Sequence, residues 1–123
     1  MFKRLTPVLI VDAIEPVLPF WDALGFTRGP SVPHGDRLGF VILEADGIEV
    51  MYQTVDSVQD DEPRVLGKHG ASMLYIEVDD LDAVAARVPK DTEVIVHRRV
   101  TTYGATEMIV RDPAGNVIAF SKM

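Results

Sequence analysis

The sequence predicts an α+β fold made of two βαβββ modules in tandem, and three observations predict it. The start of each half repeats: TPVLIVDAIEPVLPFW (6–21) aligns without a gap on MLYIEVDDLDAVAARV (73–88), pairing Leu9 with Ile76, Val11 with Val78 and Asp12 with Asp79. The end of each half repeats as well, GIEVMY (47–52) matching GNVIAF (115–120) at nearly the same offset. Within each half, a run of strand composition precedes a helical apolar stripe, and further strand-like runs follow.

In each half the opening strand ends at an aspartate, Asp12 or Asp79, of a type suited to capping a helix. The helices bury Ile14, Val17, Leu18 and Trp21 in the first half, and Leu81, Val84, Ala85 and Val88 in the second, each set spaced i, i+3, i+4, i+7. Trp21 completes its stripe and pairs with Val88, so it is expected in the core. Gly25 and Pro89 stop the two helices, and Pro16 and Pro19 fall early in the first, Pro19 less comfortably. Strands are expected at 26–33, 38–45 and 48–54, and again at 93–100, 105–111 and 116–122. EADG (44–47) suits a tight hairpin, and DPAG (112–115) places Asp, Pro and Gly as a type I turn requires. The modules then span 5–54 and 71–122 within one domain of 1–123, and the polar, acidic stretch between them, 55–70, reads as a linker.

With 123 residues, 47% of them hydrophobic, the chain can bury one ordinary core. A net charge of -7 with no cluster of Lys and Arg excludes a nucleic-acid partner. The absence of cysteine excludes disulfides, thiolate metal sites and cysteine nucleophiles, and suits a cytoplasmic location. MFKRLTPVLIVDAIEP has no apolar run long enough for a signal peptide or a membrane span.

The VD that ends the opening strand, the FWDALGF of 20–26 and the RDPAGNVIAF of 111–120, set in this tandem repeat, resemble the vicinal oxygen chelate superfamily. That superfamily includes glyoxalase I, extradiol dioxygenases and bleomycin resistance proteins. The resemblance runs from about residue 5 to 122 and implies that each module curls a four-stranded sheet, the two together forming a cup whose inner wall holds the ligand. It implies metal-ligand positions on the first and last strands of each module, which here hold Thr6, Met51, Met73 and Ala119. None is a His or Glu, and neither a methyl nor a thioether is a useful donor to a hard divalent ion. A slip of two residues would put Glu49 or Glu77 at a ligand position, with no histidine on those strands to join them. No metal and no cofactor are therefore expected.

Alternation along the strands puts Thr6, Val8 and Ile10, Glu49, Met51 and Gln53, Met73, Tyr75 and Glu77, and Val117, Ala119 and Ser121 on that inner wall. The opposite faces, from Leu9 and Val11 to Ile118 and Phe120, go to the core. Methionine, tyrosine and aliphatics with a few polar groups make a small-molecule wall, although Met51 and Met73 are equally suited to filling space. Gln53 and Glu77 need polar partners or water, and a solvated rim is their plainer reading. Phe40 can turn either way.

Of the three histidines, His34 and His69 lie in turn-rich or linker segments and read as solvated. His97 stands with Arg98, Arg99 and Tyr103 in EVIVHRRVTTYG (93–104), which the resemblance places at the cup mouth. A histidine beside an arginine and a phenol can transfer a proton or hold an anion, and the plainer alternative is a polar surface strand. The candidate catalytic residues are His97 and Tyr103. The candidate ligand contacts are Met51, Gln53, Met73, Tyr75, Glu77, His97, Arg99 and Tyr103.

Three functions follow. One is a metal-free binding protein of the bleomycin resistance type, holding a small cationic or aromatic molecule in a homodimer. Another is a glyoxalase- or dioxygenase-like enzyme, with a metal displaced onto Glu49, Glu77 and His97 or with acid–base chemistry from His97 and Tyr103. A regulatory dimer whose cup is filled by its own side chains is a third.

Overall fold

The computed structural model describes residues 1–66 and 70–123. The chain divides into two compact units, Met1–Gly70 and Ala71–Met123, each holding one four-stranded mixed sheet. In the first, β1 (Val8–Val11), β2 (Thr27–His34), β3 (Arg37–Ala45) and β4 (Ile48–Thr54) lie in the order β1-β4-β3-β2. In the second, β5 (Met73–Glu77), β6 (Glu93–Val100), β7 (Thr106–Arg111) and β8 (Val117–Lys122) lie in the order β5-β8-β7-β6. Each opening strand pairs in parallel with the last strand of its own module. The α+β fold and the tandem βαβββ order read from the repeat are the observed ones.

The first helical segment is divided, and the division resolves the awkward Pro19. A 3-10 turn over Glu15–Val17 precedes helix α1 (Leu18–Ala23), so both prolines occupy first turns, where no N–H is needed. Ile14, Val17, Leu18 and Trp21 are all buried as the stripe requires. Asp12 is exposed and caps nothing, because the segment begins two residues later with Ile14 in the capping position. In the second module the cap is Asp80 rather than Asp79, its carboxylate accepting from the N–H of Ala83 at 3.0 Å ahead of helix α3 (Leu81–Arg87). Only Leu81 of the second stripe is fully buried.

The Leu-Gly-Phe sequence ends α1 by a specific geometry. Gly25 adopts a φ of 92°, its N–H donates to the carbonyl of Asp22 at 3.0 Å, and the N–H of Phe26 reaches back to Trp21 at 3.0 Å. This is a Schellman closure, and the accompanying hydrophobic contact is Phe26 set edge-on against Trp21, with ring centroids 4.7 Å apart. Trp21 is fully buried and donates its Nε1–H to the Tyr52 hydroxyl at 2.9 Å.

The stretch expected to be a linker opens instead as a helix, α2 (Val55–Asp61). Thr54 caps it by accepting from the N–H of Ser57 at 3.1 Å, and Val58 is buried beneath it. A single apolar turn inside an acidic run leaves too weak a periodicity to read as a helix. His69 lies outside the described residues. His34 is no loop residue: it ends β2 and its Nε2 lies 2.6 Å from Asp60 Oδ2 on α2.

Candidate functional site

β6 ends at Val100 and the chain returns through Thr101–Ala105 into β7. Gly104, at φ 86°, makes the turn possible, and the Thr101 hydroxyl accepts from the Ala105 N–H at 3.0 Å to hold it closed. The closure fixes register, setting Arg99 opposite Glu107. Glu107 faces Ser121 on β8, and Ser121 faces Glu77 on β5. One transverse row therefore crosses the sheet as Arg99, Glu107, Ser121, Glu77. Residues directly opposite across strands share a face, so the four side chains line one surface.

That surface is the one the sequence assigned to Tyr75, Ala119 and Ser121. Ile118, Phe120, Met108 and Val110 fill the other face and are buried. Ala119 is also fully buried, and the polar row lies beside it, one step along the strands.

Glu107 is the centre of the row. It is only 2% exposed and carries a charge, so its carboxylate must be satisfied on both oxygens. Oε1 accepts from Arg99 Nε at 3.1 Å and Nη2 at 3.0 Å, and Oε2 accepts from the Tyr103 hydroxyl at 2.9 Å. Tyr103 sits at the tip of the turn, four residues before Glu107, and closes over it. Tyr75 reaches diagonally across to Ser121, hydroxyl to hydroxyl at 2.7 Å. Burial would push the Glu107 carboxyl up, but the hydrogen bonds from Tyr103 and Arg99, the Arg99 charge and the Ser121 hydroxyl outweigh it and hold it below its ordinary value. The bond to Glu107 raises the Tyr103 phenol, with Tyr75 contributing in the same direction.

Of the residues expected at a site, the structure gathers Tyr75, Arg99 and Tyr103 around Glu107. Met73 and Tyr75 are exposed on the same face, at 58% and 52%, and Glu77 is exposed at the end of the row. His97 does not join them. It falls where the β6–β7 ladder is irregular, between Val96 and Arg99, it is exposed, and its ring makes no hydrogen bond or ion pair with a described residue. Arg98, its neighbour, pairs instead with Asp82 at 2.8 Å. Met51 and Gln53 belong to the first module, where Met51 faces Val8 and Ile42, and Gln53 Nε2 donates to Ser57 Oγ at 3.3 Å. Phe40, which the sequence left open, faces Gln53 and so shares its surface.

Sequence reasoning missed Glu107. Its signal was a single carboxylate inside the apolar run ATEMIV, a placement that demands a partner. The partners became visible only once the hairpin register was known.

The residues present do not fit the divalent ion that the resemblance implies. Thr6 lies ahead of β1, its hydroxyl 3.5 Å from Glu49 Oε1, while Met51, Met73 and Ala119 offer two thioethers and a methyl. Among the described residues no three His, Cys, Asp or Glu side chains gather into a group that could hold a metal. The buried carboxylate already has a cation in the guanidinium of Arg99.

The first module holds a separate polar groove, with a volume of about 260 Å³, lined by His34, Asp36, Arg37, Leu38, Thr54 and Asp56. No helix among the described residues is long and apolar enough to cross a membrane.

No curated protein matches the sequence. Solved structures do match the fold. TioX from Micromonospora sp. ML1 is 17% identical, with 98% of both chains covered and a TM-score of 0.80. A lactoylglutathione lyase from Agrobacterium tumefaciens is 17% identical, covering 98% of this chain and 92% of the other, with a TM-score of 0.76. A glyoxalase/bleomycin resistance protein/dioxygenase family enzyme from Burkholderia phytofirmans PsJN is 14% identical over 95% of both chains, with a TM-score of 0.75. The family model of the Glyoxalase/Bleomycin resistance protein/Dioxygenase superfamily matches residues 4–120, almost the whole chain. The two βαβββ modules, the Leu-Gly-Phe helix stop and the Asp-Pro-Ala-Gly-Asn turn thus have one common explanation: the chain belongs to the Glyoxalase/Bleomycin resistance protein/Dioxygenase superfamily.

Proposed function

We propose that this protein binds a small organic molecule without a metal, and that the second module supplies the recognition surface. The observation that carries the reading is the closed polar row. Glu107 is ionised, buried and saturated by Arg99 and Tyr103, which makes it a scaffold that fixes those two side chains rather than a free base or a metal ligand. Around it Met73, Tyr75 and Tyr103 stay exposed, giving adaptable and aromatic area beside fixed polar atoms.

Catalysis by His97 and Tyr103 has less support. The Tyr103 proton is committed to Glu107, its phenol is harder to ionise than usual, and His97 contacts neither. A displaced metal on Glu49, Glu77 and His97 has no cluster of donors to support it among the described residues. Sequestration of a drug or metabolite by a cytoplasmic homodimer completes the reading, and rests on the family resemblance and the lack of cysteine.

Metal analysis of protein purified without chelator, with a thermal-shift screen of aromatic and cationic compounds, tests the proposal. Bound ligand is expected to raise the melting temperature, in Tyr75→Ala less than in the wild type, with no stoichiometric metal. A transition metal at one equivalent per chain overturns it.

A further inference from the structure

The directions of the hydrogen bonds around Glu107 restrict what chemistry this surface can accept. A carboxylate only accepts, so the contact at 2.9 Å fixes the Tyr103 proton on Glu107 Oε2. Ser121 is fully buried, and its oxygen faces the Tyr75 hydroxyl. Ser121 Oγ accepts from the Tyr75 hydroxyl at 2.7 Å, so the Tyr75 proton also points inward. Both phenols are more than half exposed, yet neither has a proton left to offer. Towards solvent they present π faces rather than protons.

The charges agree with this. Arg99 is balanced by Glu107 at 3.0 Å and Arg98 by Asp82 at 2.8 Å. Glu77, exposed and two residues from Tyr75 on the same face, makes no hydrogen bond or ion pair with a described residue. A strand advances about 6.5 Å over two residues, so an ammonium seated over Tyr75 lies within reach of that carboxylate.

The geometry points to a ligand that brings its own positive charge: an aromatic or aliphatic molecule bearing a protonated amine, held over the Tyr75 and Tyr103 ring faces with Glu77 as its counter-charge. This rests on the binding role proposed above and adds the chemical class. An anionic ligand would meet two phenols with no proton to offer and a carboxylate that has no ion pair among the described residues.

Matched probes test it. Protein labelled with 13C at its methionine methyls would be titrated with 2-phenylethylammonium and, separately, with 3-phenylpropionate, following Met73 by NMR. The ammonium is expected to bind about fivefold or more tightly than the carboxylate. Glu77→Gln, a change at an exposed side chain without partners among the described residues, is expected to narrow that preference while leaving the fold intact. Equal or tighter binding of 3-phenylpropionate, or a preference that Glu77→Gln leaves unchanged, overturns the amine assignment and leaves the binding role standing. A Met73 signal that responds to neither probe, nor to any compound active in the thermal screen, overturns the binding role as well.

Discussion

The two modules put different chemistry on the same lattice positions. Across the first sheet one row runs Val32, Phe40, Gln53, Ile10, and across the second the corresponding row runs Arg99, Glu107, Ser121, Glu77. The first row is apolar but for Gln53, whose amide turns aside to Ser57 on α2. The second is polar throughout, with Arg99 paired to Glu107 and Ser121 bonded to Tyr75. The core shows the reverse contrast. Trp21 and Tyr52 form a buried, hydrogen-bonded aromatic pair in the first module, whereas their repeat mates are the half-buried aliphatic Val88 and the buried Phe120. The duplicated fold has thus divided its duties, with the largest buried side chains in one copy and the polar surface in the other. Cross-strand register sets which positions face each other, and side-chain chemistry then decides whether a row is packed or recognises something.

The division can be broken most severely at Trp21. Trp21→Ala empties a fully buried site and is expected to cost about 3–5 kcal/mol, measured by chemical denaturation. Val88→Ala should cost much less, and equal losses would deny that the modules differ.

Glu107→Ala is expected to have the next largest effect, lowering the melting temperature by several degrees and abolishing ligand-induced stabilisation, because Arg99 and Tyr103 lose the group that fixes them. Phe40→Ala, its counterpart in the first module, should leave ligand-induced stabilisation intact. Loss of binding in both would move the recognition surface away from the second module alone.

The acid limb of stability sharpens the same point. The folded-state value of Glu107 lies below its unfolded value, so its contribution is full above about pH 4.3 and is lost as pH falls through the lower folded value. The Tyr103 phenol is raised, so its contribution holds below about pH 10 and is lost as pH rises through the higher folded value. Melting curves against pH should show a shallower acid limb in Glu107→Gln than in the wild type. An unchanged limb would mean that the carboxylate is not the group being titrated.

The smallest effects belong to the helix caps. Thr54→Ala is expected to cost about 1 kcal/mol by removing the acceptor for the Ser57 N–H, and Asp80→Ala, at an exposed cap, about 0.5–1 kcal/mol. Denaturant midpoints would resolve the two.

The local signals that the sequence carried were strong ones. Period-2 alternation assigned both faces of β4 and β8, so Tyr52 and Phe120 were expected in the core and Ala119 and Ser121 on the other wall, where the structure has them. Leu-Gly-Phe and Asp-Pro-Ala-Gly-Asn were visible because their physics is local: a left-handed glycine closes one helix, and the Asp112 carboxylate accepts from the N–H groups of Ala114 at 3.0 Å and Asn116 at 2.8 Å. The capping aspartates were placed one residue early in the second module and wrongly in the first, since a cap depends on where the backbone bends. Helix α2 was missed because one buried valine does not make a period.

The sequence by itself determined the duplicated fold, the two faces of β1, β4, β5 and β8 and the lack of a His or Glu at Thr6, Met51, Met73 and Ala119, because spacing along one chain encodes all of these. Only the tertiary structure decided that His97 stands outside the polar cluster and that Glu107 stands at its centre. Glu107 owes its partners to the β6–β7 hairpin, which sets Arg99 opposite it and folds Tyr103 over it. Such a cluster forms only when hairpin closure fixes the register, and a shift of one residue would have turned the carboxylate into the core.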